Sequence, residues 1–191
     1  RWLRKIHDAG IKGNTISFTT VINACARAGD VKKAEAWLMR MLVSGVEPNT
    51  ITFTAVIAAC AKVGDGRRAC EWLTKMKAAG ILPNSFSYNS AAKPYVARGE
   101  YRRVEELMNS LRADGLPYDD FCLTSILSAS SAKPKQRGRV AAAPREHVAE
   151  GVRVTRISLQ ALPRASGRAE AEAICTQCGV GWSAVEATGG K

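Results

Sequence analysis

Two short stretches of the chain carry residues of the kind that hold metals or move protons. His147 and Glu150 stand in HVAE, and Cys175 and Cys178 form a C-x-x-C. Zinc sites that activate water for deamination combine H-x-E with P-C-x-x-C. Here the histidine and glutamate are one residue too far apart, and Ile174 precedes the first cysteine. Two cysteines leave a tetrahedral zinc site half filled, so no metal is assigned. No nucleophile with a matching base stands out either, so no catalytic residue and no cofactor is assigned. The other polar residues with regular spacing are Asn14, Asn49, Asn84 and Asp119. Their chemistry is hydrogen bonding, which serves a helix cap or a ligand equally well.

That spacing reveals how the chain is built. Gly10, Gly45, Gly80 and Gly115 are each 35 residues apart, and Gly29, Gly64 and Gly99 share the interval, as do Cys25 and Cys60, and Trp2, Trp37 and Trp72. Setting residues 14–48 against 49–83, 18 of 35 positions are identical. A period of this length marks a solenoid, in which each unit is too small to bury its own apolar face and must stack on its neighbours.

Within a unit the apolar residues fall on two helical stripes. Phe53, Val56, Ile57 and Cys60 recur at i, i+3, i+4 and i+7, and Ala69, Trp72, Leu73 and Met76 repeat that pattern. The first copy gives Phe18, Val21, Ile22 and Cys25, then Ala34, Trp37, Leu38 and Met41. In the third copy the stripes are Tyr88, Ala91, Ala92 and Tyr95, then Val104, Leu107, Met108 and Leu111. The unit is a helical hairpin. Asp30 and Asp65 stand where the second helix needs an N-cap, and Gly45, Gly80 and Gly115 where it needs a residue tolerant of positive φ. Pro48 and Pro83 then stop the helix from running on. Cys25 and Cys60 lie within the stripes and read as small buried hydrophobes, not as disulfide or metal partners.

Composition narrows the partner. The 191 residues are 46% hydrophobic, too apolar for a wholly disordered chain, and 28 Lys and Arg against 17 Asp and Glu give a net charge of +11. Such a balance favours polyanions, nucleic acid before anionic membrane. No apolar run approaches the roughly 18 residues of a membrane span. The chain opens at Arg1 with no signal pattern, as an internal fragment of something longer would.

The 35-residue period, the TITFTAVIAACAKVGD first helix and the ACEWLTKMKAAGILPN second helix resemble pentatricopeptide repeats. Tetratricopeptide repeats share the hairpin plan but have a period of 34 with their Trp, Gly and Tyr placed differently. The resemblance implies an all-α fold, an α-solenoid of antiparallel helix-turn-helix repeats wound as a right-handed superhelix. Its register makes 1–14 the second-helix end of a partial repeat, and 15–49, 50–84 and 85–119 full repeats. Residues 120–155 become a partial or degenerate repeat and 156–191 a degenerate repeat, a cap or a flexible basic tail.

Resemblance to this family also implies single-stranded RNA as the partner, read one base per repeat. The fifth and last residues of a repeat form the reading pair, and the second helps to sandwich the base. On this chain the pairs are Thr19 with Asn49, Thr54 with Asn84, and Asn89 with Asp119, and the sandwiching residues are Ile16, Ile51 and Phe86. Family preferences imply adenine for Thr with Asn and uracil for Asn with Asp, hence a core 5'-A-A-U-3'. The chemistry suits these roles, since a hydroxyl donates and accepts, a carboxamide offers one acceptor and two donors, and apolar side chains stack without regard to sequence. Arg27 and Lys62 share a register and are candidate phosphate contacts, although Ala97 takes that place in the third repeat.

Beyond Lys133 the pattern is worn. Pro134 falls where a Gly was due, Gly151 follows Gly115 by 36 residues, and Thr155 takes the Asn84-like place. A capping repeat accounts for this, and so does a basic tail, since the last 59 residues carry 10 basic and 5 acidic side chains. A pair formed by Thr124 and Thr155 has no assigned base. The expectation is a non-enzymatic RNA-recognition module acting in organellar RNA processing, stability, splicing, editing or translation, in a mitochondrion or plastid, with other RNA-processing proteins as further partners and no small-molecule substrate. Two alternatives stand beside it. A protein-binding scaffold would carry bulky apolar residues at the reading positions, and an RNA-processing enzyme would need a catalytic domain beyond either end.

Overall fold

A computed structural model of the chain describes residues 13–131 and 168–177, and these are helical with short connections and no strand. The helices are α1 Thr15–Ala28, α2 Val31–Val43, α3 Thr50–Lys62, α4 Gly66–Ala78, α5 Ser85–Arg98, α6 Tyr101–Ala113, α7 Asp120–Ser131 and α8 Arg168–Gln177. The architecture is the expected all-α solenoid of helical hairpins. The expectations for His147, Glu150, Gly151, Thr155 and Cys178, and for Trp2 and Gly10, lie outside the described residues. By packing the chain divides into two compact units, Arg1–Pro94 and Tyr95–Lys191.

In the first unit α1 packs on α2 and α3 on α4 as hairpins, while α1 and α2 both pack on α3. Sandwiched this way, α3 buries most of its middle, from Thr52 to Ile57 and again at Ala59 and Cys60. Its stripe and that of α4 are wholly buried, as the periodicity requires, whereas Val21, Cys25 and Trp37 of the first hairpin are only half buried. Burying a side chain such as Ile57, Met76 or Leu38 contributes roughly 1.5–3 kcal/mol. Each hairpin is pinned by an aromatic pair, Phe18 with Trp37 and Phe53 with Trp72, both with ring centroids 6.2 Å apart. A threonine hydroxyl closes the loop of each, Thr15 Oγ1 donating to the Glu47 carbonyl and Thr50 Oγ1 to the Leu82 carbonyl, both at 3.3 Å.

The turn inside each hairpin is dictated locally. Gly64 adopts φ 79°, its N–H bonding to the Ala61 carbonyl while the Asp65 N–H reaches back to Cys60. This left-handed position is costly for any residue with a Cβ. Asp65 then caps α4 by accepting the Arg68 N–H at 3.0 Å, as Asp30 caps α2 by accepting the Lys33 N–H at 3.1 Å. The glycines that end the second helices, Gly45, Gly80 and Gly115, have φ of 70°, 72° and 74°.

Two departures come from the third repeat's own residues. Pro94 lies inside α5, where Ala24 and Ala59 hold the matching places of α1 and α3, and its ring removes the bond to the Ser90 carbonyl. Glu100 stands where Asp30 and Asp65 cap, and it makes no side-chain cap bond to α6. The extra methylene carries its carboxylate to Arg98 Nε at 2.5 Å instead. In the second unit α6 packs on α7, with Tyr101, Val104, Leu107, Met108 and Leu111 of α6 and Cys122, Leu123, Ile126 and Leu127 of α7 in the core.

Candidate nucleic-acid interface

The second residue of each repeat is a large apolar side chain left in solvent. Ile16 is 74% exposed, Ile51 61%, Phe86 59% and, in the partial repeat, Phe121 51%. Periodicity explains the exposure. Position 2 lies two residues beyond the N-cap and off the buried stripe, so stacking of the hairpins leaves it uncovered. Phe121 belongs to this row by its register, a signal in plain view of the sequence.

A groove of about 630 Å³ in the first unit brings the second repeat's candidate residues together. Ile51, Thr54, Asn84 and Phe86 line it, with Arg27 and Lys62 beside them. Its volume lies in the general range of small-molecule binding sites. Asn23, Ser90 and Lys93 also line it, none of them marked out by the repeat pattern. Asn23, Ala58 and Lys93 each lie four residues beyond a fifth-position residue, on the same helix face, which is the signal that would have found them. The Lys93 ammonium sits 5.8 Å from the centre of the Phe86 ring, which holds a cation next to the apolar wall. Lys62 Nζ donates to the Arg27 carbonyl, so one lysine ties the last turn of α1 to that of α3 while lining the groove.

The asparagines cap helices, the ordinary role that their position allows. Asn14, Asn49 and Asn84 each accept through Oδ1 the backbone N–H three residues on, from Ser17 at 2.9 Å, Thr52 at 3.0 Å and Ser87 at 2.9 Å. The same oxygen accepts the hydroxyl of that residue, Ser17, Thr52 or Ser87, each at 2.9 Å. Capping uses only the oxygen, and the amide nitrogen stays outside the cap. The fifth-position threonines are nearly buried, and they meet the same hydroxyls across the repeat boundary. Thr19 Oγ1 lies 2.8 Å from Thr52 Oγ1, and Thr54 Oγ1 lies 2.7 Å from Ser87 Oγ. Thus Thr19 and Asn49 are joined through Thr52, and Thr54 and Asn84 through Ser87.

The third pair divides between the two units. In the first, Asn89 is buried and its Oδ1 has no hydrogen-bond partner among the described residues. In the second, Asp119 Oδ1 accepts the Cys122 N–H at 3.0 Å. A thiol thus replaces the hydroxyl of Thr52 and Ser87, and burial pushes it up to about 12. Cys60 is likewise pushed up to about 11 by burial, so both thiols stay neutral at physiological pH. Among the described residues no group of His, Cys, Asp and Glu could hold a metal, and no helix is long and apolar enough to cross a membrane.

The repeats and the fold, taken without the side-chain contacts, have counterparts among known proteins. Residues 13–62 match the model of the PPR repeat family, and 41–98 match that of the pentatricopeptide repeat domain. A comparison with curated proteins gave no match. Among solved structures, the pentatricopeptide repeat protein PPR10 from maize superposes with a TM-score of 0.77 at 17% identity over 97% of this chain and 27% of its own. PPR10 in complex with an 18-nt psaJ RNA element gives 0.70 at 17% identity, over 93% and 27%. The PPR domain of Arabidopsis thaliana protein-only RNase P 1, in complex with tRNA, gives 0.69 at 19% identity, over 82% of each chain. The chain thus spans about a quarter of PPR10.

Proposed function

The chain is a pentatricopeptide repeat protein, and we propose from that premise that it binds single-stranded RNA as a non-enzymatic recognition module, one base per repeat. The observation that carries this reading is the groove holding Ile51, Thr54, Asn84 and Phe86 together under Arg27, Lys62 and Lys93. Exposed apolar walls serve stacking, polar side chains between them serve base edges, and cations serve the phosphates. A peptide-binding scaffold would have little use for a hydroxyl and a carboxamide at the centre of such a groove.

In this reading the pairs Thr19 with Asn49, Thr54 with Asn84 and Asn89 with Asp119 prefer the core 5'-A-A-U-3'. RNA-bound structures of similar fold support the class of partner. Three pairs define too short a site to be unique, so the full protein is expected to carry further repeats. The same proposal places it in a mitochondrion or plastid, where it shields or positions a transcript for processing, splicing, editing, stability or translation, alongside other RNA-processing proteins.

Selection from a randomised single-stranded RNA pool tests it. Enrichment of A-A-U is expected, with the U moving to A when Asn89→Thr and Asp119→Asn are introduced together. Equal retention of all sequences would remove the base assignments. Absence of RNA binding by a folded chain would remove the function and favour the scaffold.

A further inference from the structure

Asn49 Oδ1, Thr52 Oγ1 and Thr19 Oγ1 form a chain of three oxygens with contacts of 2.9 and 2.8 Å. Asn84 Oδ1, Ser87 Oγ and Thr54 Oγ1 repeat it with contacts of 2.9 and 2.7 Å. In each chain two hydroxyl protons must serve two contacts. The asparagine is oriented by the cap, because only its oxygen can accept the backbone N–H of Thr52 or Ser87. A carboxamide oxygen has no proton to give. Thr52 must therefore donate to Asn49, and Thr19 must donate to Thr52. Reversal would set the lone pairs of Thr52 and Asn49 against each other. The same count runs from Thr54 through Ser87 to Asn84.

This direction decides what each pair has left for a ligand. Thr19 and Thr54 have committed their protons and keep only lone pairs, while Asn49 and Asn84 have committed their oxygens and keep only Nδ2 donors. We propose that Thr52 and Ser87, the third residues of their repeats, are positioning residues that set this polarity. They make the two pairs select bases with an amino donor beside a ring-nitrogen acceptor, adenine or cytosine, over guanine and uracil, whose edges put a carbonyl acceptor beside an N–H donor. The inference rests on the RNA-binding reading above and adds to it the residue that dictates donor from acceptor. The third register lacks the device, since Cys122 holds the hydroxyl's place and Asp119 brings an acceptor-only carboxylate.

Base analogues test it on the full chain. An RNA with an A-A-U core is compared with one in which inosine, whose edge reverses donor and acceptor, replaces the adenine opposite Thr54 and Asn84. Wild type is expected to lose roughly tenfold in affinity, the scale of one good pair of base contacts. Ser87→Ala is expected to bring the adenine-to-inosine ratio within about twofold, and Ser87→Thr to restore it. Thr52→Val and Thr52→Ser are expected to do the same at the preceding adenine. A merely structural role would move affinity for both RNAs together and leave the ratio unchanged. Should Ser87→Ala fail to fold, the unmodified protein still decides, because equal binding of adenine and inosine overturns the inference. A tenfold ratio that survives in Ser87→Ala overturns it while leaving the RNA-binding reading intact, and absence of RNA binding by wild type overturns both.

Discussion

Trp72 donates its indole N–H to Glu35 across the boundary between the first two full repeats, Nε1 to Oε1 at 2.7 Å. The other carboxylate oxygen receives Arg68 Nη2 at 2.5 Å, and the Glu35 side chain is only 16% exposed. One carboxylate of α2 thus fastens two residues of α4, on helices whose stripes the periodicity had assigned to core.

Replacing Glu35 should therefore loosen the stacking of these repeats. Glu35→Ala leaves the Trp72 N–H without its acceptor and should cost about 1–3 kcal/mol. Glu35→Gln keeps an acceptor for Trp72 and loses the ion pair, which is partly solvated at Arg68, so its cost should be under about 1 kcal/mol. Urea denaturation followed by circular dichroism checks the order, and equal midpoints for the two variants would refute it.

Glu100→Asp should stabilise the third hairpin. The shorter carboxylate would sit where Asp30 and Asp65 accept the N–H three residues on. A side-chain cap is expected to add about 0.5–1 kcal/mol. A rise in thermal midpoint is the readout, and the same change at Glu105, in mid-helix, should give none.

Stacking and reading should separate in binding. Phe86→Ala removes a wall of the groove and should weaken RNA binding by about 1–3 kcal/mol whatever the base. Selection with this variant should return the same consensus at lower affinity. A changed consensus would mean that Phe86 reads sequence.

Charge should appear as salt dependence. Lys93→Ala and Arg27→Ala each remove a cation from the groove, and each should reduce the slope of log affinity against log salt by up to about 1 for every phosphate that the cation had neutralised. An unchanged slope for Lys93→Ala would remove that residue from the phosphate-binding set.

Alkaline pH should destabilise the fold partly through Cys60. Burial, then the nearby charge of Glu35, raises this thiol from its ordinary 9.0 to about 11. The unfolded chain ionises first as pH rises, so the thiol's contribution is intact below pH 9 and is lost as pH climbs through about 11. The loss should reach the order of 1–2 kcal/mol by pH 10.5. Thermal midpoints at pH 7.5 and 10.5 measure it, and the drop should be smaller in Cys60→Ala.

Features with a local cause were legible from the residues alone. A single repeat contains the two stripes, the Asp30 and Asp65 caps and the left-handed glycines, so a period of 35 sufficed to state the hairpin, while the repeat boundaries came with the family resemblance. The row of Ile16, Ile51 and Phe86 also came with that resemblance, and its exposure follows from position 2 lying off the stripe. What passes between repeats was settled by docking in three dimensions. Thr19 meets Thr52 across 33 residues and Glu35 meets Trp72 across 37, and in both cases one hairpin must dock on the next before the pair can form. Nothing in the period forecasts these pairs, since the register of Glu35 holds Cys70 in the next copy and that of Thr52 later holds Cys122. Lys93 came to the groove in the same way. Helical geometry aimed it at that face, and only the stacking of α3 against its neighbours made the face a groove. The asparagines show both levels at once, their oxygens committed by the local cap and their partners' protons directed by the neighbouring repeat.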